Sequence, residues 1–247
     1  MKRIKQMNIV KIFSVLGISP MVLAIVTYLT ANASLVEHSQ MNQMILYKEY
    51  LMNKIILLPD FKNISYLGGR QVYLLLQPYF FWLLFLLIGA YSYLRQDFRY
   101  YQWLAVRSEN VNKLYYRMQV KGSRASILFS FVYHAMIILL ILKGNNYQYQ
   151  TSNLALIQQM LFVFISHTFL MLGVLACLFY VYLIKGELFF LVSVVIVVAF
   201  ILMLNLTFPQ VALLFLWYEN YWLNSLLVGM ILFVIAKLLK KKLKFYL

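Results

Sequence analysis

A chain of 247 residues that is 64% apolar, 17% aromatic and only 12% charged cannot hide its apolar surface as a soluble domain, whose apolar share is about 45–50% and charged share about 25%. The net charge of +15 raises nucleic acid as a partner, but the basic residues border hydrophobic runs instead of striping a polar face, so none is expected. At about 20 residues per crossing, the length holds six spans and no separate soluble domain.

An all-α integral membrane protein forming one domain over 1–247 is therefore expected. Uninterrupted apolar runs place the spans at about 12–33, 74–94, 126–142, 156–184, 188–206 and 223–237. The first follows Lys2, Arg3, Lys5 and Lys11 and ends on Ala31-Asn32-Ala33, a small-residue pattern that also fits a secretory cleavage site. Its apolar stretch is longer than a signal core, so it is assigned as a span. Pro20 and Pro78 fall inside spans one and two, which membrane bundles tolerate when neighbours satisfy the freed carbonyls.

Six spans put both termini on one side. With the amino terminus inside, 17 Lys and Arg residues are inner and five are outer: Lys48, Lys54, Lys62, Arg70 and Lys143. That asymmetry makes the termini cytoplasmic. Tyr79 to Trp82, and Trp217, Tyr218, Tyr221 and Trp222, suit interfacial belts. Lys237, Lys240, Lys241, Lys242 and Lys244 follow the last span and would each attract anionic lipid by about 1 kcal/mol.

The outer loop, 34–73, carries Met41, Met44, Ile45, Leu51, Met52, Ile55 and Ile56 near helical spacing before Pro59. An amphipathic helix over 39–58, about five turns long, is expected on the outer leaflet or over the bundle. The Gly68-Gly69 pair would turn the chain back.

The inner loop, 95–124, sets Asp97 among Phe98, Tyr100, Tyr101, Trp103 and Leu104, a mixture suited to docking a cytoplasmic partner or anchoring a helix at the interface. Ser108 then suits an N-cap. Glu109, Lys113, Arg117 and Lys121 form a row at four-residue spacing, with Val111, Leu114, Tyr115 and Met118 on the other face and Gly122 as terminator.

Six spans with both ends inside, and a loop built as acid, Leu, short polar break, basic residue and helix, resemble the permease subunits of type-2 ATP-binding-cassette exporters. The resemblance implies that the loop is a coupling helix seated in an ATPase. Asp97, Leu104, Arg107, Ser108, Asn112 and Lys113 would be the matching positions, with Phe98 and Tyr101 beside them. Members commonly carry Glu, then Gly-Thr, and later a Pro before a Ser-Arg pair; this chain has Asp97, Tyr100 and Tyr101, and Arg107 before Ser108. The resemblance further implies a homo- or heterodimer of permeases in a bacterial plasma membrane, with hydrophobic or amphipathic peptides as substrate.

Catalysis by this chain is not expected. The spans hold almost no ionisable side chains and no Gly-rich phosphate loop is present, so ATP and Mg²⁺ would belong to the partner ATPase. His134 and His167 form a possible intramembrane polar path, either functional or simply bonding two helices; two ligands do not close a metal site. An intramembrane enzyme would rest on them alone. Cys177 is an apolar filler with no redox or disulfide partner. Lys185-Gly186-Glu187 makes a tight inner turn, and Asn205, Thr207 and Pro209 open an outer segment running past Glu219, either a plain loop or a re-entrant one. The alternative function is an immunity or sensor protein that binds a membrane-active peptide through the outer amphipathic segment without moving it.

Overall fold

The computed structural model describes residues 2–42, 45–57, 76–77, 79–83, 86, 111–144, 147–214 and 222–243. Most of the second expected span, 74–94, and the loop from 95 to 110 lie outside the described residues. Six α-helices are described: α1 Lys2–Asn42, α2 Lys48–Ile56, α3 Val111–Lys143, α4 Asn153–Lys185, α5 Glu187–Thr207 and α6 Trp222–Leu243, with a 3₁₀ turn at Pro209–Val211. Among these residues no strand forms, and Tyr47 and Gln148 make one isolated bridge.

Four stretches, Gly17–Glu37, Gln119–Lys143, Asn153–Tyr182 and Glu187–Thr207, are helical, long and apolar enough to cross a membrane. This is a multi-pass helical membrane protein. The apolar part of α6, Leu223–Leu239, is shorter but packs along α4 in the most extensive helix pair of the described bundle. The closeness has a local cause. A Cβ on Gly173 of α4 would lie 2.6 Å from the Gly229 carbonyl oxygen of α6, and one on Gly229 would lie 2.7 Å from the Phe169 backbone, so the two backbones meet where only glycine fits. Helix α1 packs on α3, and α3 on α4. Helix α5 leans more lightly on α4 and exposes Leu188, Phe200 and Met203, the surface a lipid-facing helix presents.

Three expectations change. Gly122 does not end a helix; α3 runs through it without a break from Val111 to Lys143. One interior glycine costs a helix only about 1 kcal/mol, and here it is buried against Leu175, whose Cδ2 is 3.5 Å from the position of a Cβ. The single helix expected over 39–58 is two pieces, since residues 39–42 finish α1 and α2 begins at Lys48. Between them Tyr47 is extended (φ −107°, ψ 149°) and the Lys48 N–H donates to the Gln148 carbonyl at 3.0 Å. Asn205 does not open an outer segment; it lies buried within α5.

Helix α2 is strapped down. Leu51, Met52, Ile55 and Ile56 are buried, and Lys48, only 3% exposed, donates to the Leu142 carbonyl and the Tyr149 hydroxyl, each at 2.6 Å. The Glu49 carboxylate accepts from the Thr151 N–H and hydroxyl at 2.6 Å and from the Gln150 N–H at 3.2 Å. Burial raises the Glu49 carboxyl, but these hydrogen bonds outweigh it and hold the group below its ordinary range. Burial holds the Lys54 ammonium below its ordinary value. Tyr147 also donates to the Asn32 side chain of α1.

Candidate functional site

Polar side chains placed four residues apart share one face of a helix. Along α3 this brings Ser126, Ser130 and His134 together, all buried. Opposite them α4 contributes His167 and Thr168. The Thr168 hydroxyl donates to Ser130 Oγ at 2.9 Å, and His134 Nε2 stands 3.2 Å from His167 Nδ1. His134 Nδ1 lies 2.7 Å from the Ser130 carbonyl oxygen. A carbonyl can only accept, so His134 Nδ1 carries the hydrogen bonded to Ser130, and its Nε2 is the atom that faces His167 Nδ1.

Aromatic rings enclose the pair. The Tyr133 and Phe164 ring centres lie 5.1 and 5.7 Å from that of His134, both edge-on. Phe81 packs on Tyr133 at 4.3 Å. Gln77 donates to the Tyr133 hydroxyl, which ties the second expected span to α3. The histidines, Gln77, Tyr133 and Trp82 line a cavity of about 20 Å³, room for a single water molecule. The Trp82 indole N–H, in a side chain 1% exposed, has no hydrogen-bond partner among the described residues. Leu214 closes the cavity from the far side.

Leu214 reaches that position because residues 208–214 fold back into the bundle, where Leu213 and Leu214 are buried. Asn205 holds the turn in both directions: its amide donates to the Leu213 carbonyl at 2.7 Å, and its carbonyl oxygen accepts from the Leu213 N–H at 2.8 Å. It also donates to the Tyr79 hydroxyl at 2.6 Å. The Leu214 N–H donates to Ser225 Oγ at the start of α6. Backbone buried at this depth is tolerated only with such partners.

His134 and His167 are thus brought together. Among the described residues no group of three His, Cys, Asp or Glu side chains gathers to hold a metal. Of the expected coupling positions, Asp97, Phe98, Tyr101, Leu104, Arg107 and Ser108 lie outside the described residues. Asn112 and Lys113 belong to the first turn of α3. Sequence reasoning missed the Gln77–Tyr133 bond and the Asn205 clamp. An Asn near the end of a long apolar run was the only available signal. No protein-family model, curated protein or solved structure matches the chain.

Proposed function

We propose that this chain is the transmembrane subunit of an exporter driven by a separate ATPase. In this reading six spans cross a bacterial plasma membrane with both termini cytoplasmic, and two permease subunits form the path for hydrophobic or amphipathic peptides. ATP and Mg²⁺ belong to the partner. The supporting observation is the unbroken course of α3. Its 33 residues extend about 50 Å at 1.5 Å per residue, against about 30 Å of hydrocarbon. The apolar stretch within it is Gln119–Lys143, so the residues before Gln119, with Lys113 and Arg117 among them, extend as a basic arm in the same unbroken helix as His134. Movement of that arm by an ATPase would reach the buried polar pair without a hinge.

Co-purification of the chain with an ATPase, and loss of peptide export in Asp97→Lys and Arg107→Glu variants, are the expected results. An isolated chain with unaltered export in both variants overturns the proposal. An immunity protein that captures peptide on the outer helix is less favoured, because the apolar residues Leu51, Met52, Ile55 and Ile56 of α2 are already buried against the bundle.

A further inference from the structure

At the end of the bundle near the Gly186 turn, α3, α4 and α6 leave between them a groove of about 410 Å³, within the range of small-ligand sites. Its walls are largely apolar, with Ile127, Leu172, Leu175 and Phe233 among them, and its rim holds two cations, Arg124 of α3 and Lys237 of α6. No Asp or Glu lines it among the described residues. Gln119 donates to the Tyr180 hydroxyl at 2.9 Å on the same rim, which ties α3 to α4 beyond the cations.

The height of the groove matters as much as its lining. Arg124 lies about 28 Å along α3 from Lys143, close to one hydrocarbon thickness. The groove therefore flanks the Gln119 end of the apolar stretch Gln119–Lys143, with its cations near one edge of the hydrocarbon and apolar wall on both sides of Arg124, Val120 toward the helix start and Ile127 toward Lys143. A free anion would use the rim and leave the walls bare. A phospholipid matches both parts, its phosphate at the cations and its acyl chain along the walls.

We infer that this groove is a binding site for an anionic phospholipid, with Arg124 and Lys237 as phosphate ligands. The inference is independent of the exporter proposal, since it needs only that the bundle spans a bilayer.

Native mass spectrometry of the purified chain in equimolar phosphatidylglycerol and phosphatidylcholine micelles tests it. Phosphatidylglycerol adducts are expected to exceed phosphatidylcholine adducts by on the order of thirtyfold, from two cations at about 1 kcal/mol each. The Arg124→Gln/Lys237→Gln double variant should bring the two lipids near parity. Ala176→Phe, which fills the groove and keeps both charges, should reduce adducts of either lipid. Lys143→Gln should leave the preference as it was, and millimolar inorganic phosphate should not displace the lipid. Circular dichroism and monodispersity establish that each variant folds. An unchanged preference in the folded double variant overturns the inference. So does displacement by phosphate, or parity produced by neutralising Lys240, Lys241 and Lys242 alone, which would assign the preference to the basic tail.

Discussion

The two ends of the bundle are built on opposite plans. At the end holding Lys143 and Ser152, long-range polar bonds through Lys48, Glu49 and Tyr147 lace α2 to the α3–α4 connection and to α1, and the nearest cavity has room for one water. At the other end Gln119 donates to the Tyr180 hydroxyl on the groove rim, beside a space some twenty times larger. Rigidity is concentrated where the chain is capped.

The sharpest way to break this contrast is to separate α4 from α6, two of the walls of the groove. Gly229→Ala sets a Cβ 2.7 Å from the Phe169 backbone, and a loss of about 3 kcal/mol is expected, read as a lowered melting temperature in detergent. Gly17→Ala, with nothing within 4 Å, should be neutral or better. Next comes Asn205→Leu, which strands the Leu213 N–H and carbonyl; about 2 kcal/mol is expected, with faster hydrogen exchange across 208–214. Lys48→Met removes two hydrogen bonds from the cap and should cost about 1 kcal/mol, with exchange rising in α2 and not around the groove.

The smallest effect concerns pH. The folded Glu49 carboxyl is held below its ordinary range, so its contribution is present at neutral pH and is lost as pH falls through the carboxylate range. Protection against exchange at 147–152, taken relative to the intrinsic amide rate at each pH, should therefore fall between about pH 5 and pH 3 in the native chain and show no such step in Glu49→Gln. A fall in protection at the groove instead would contradict the assignment of the strap to the capped end.

The class of protein was legible in composition, because hydropathy is a local property and a run that can cross a bilayer declares itself without knowledge of its neighbours. The turn at Lys185-Gly186-Glu187 was equally local: Gly186 has φ 85°, a conformation that glycine adopts readily. Gly122 was misleading for the same reason. A lone glycine looks like a terminator in a list of residues, whereas its penalty is small beside the packing of a helix continuous on both sides. The amphipathic pattern over 39–58 was real, but a pairing with Gln148, a hundred residues away, claimed the backbone in its middle.

Sequence alone determined that the chain is helical, apolar enough for a membrane and asymmetric in charge. Tertiary structure decided that His134 meets His167, that Lys48 is buried, that Asn205 turns the chain back inward, and that Arg124 and Lys237 share one groove. Hydropathy sums over neighbours in the chain, while each of these pairings depends on which helix faces close in space. That choice is made by packing, at glycines such as Gly173 and Gly229, where side-chain size governs how near two backbones can come.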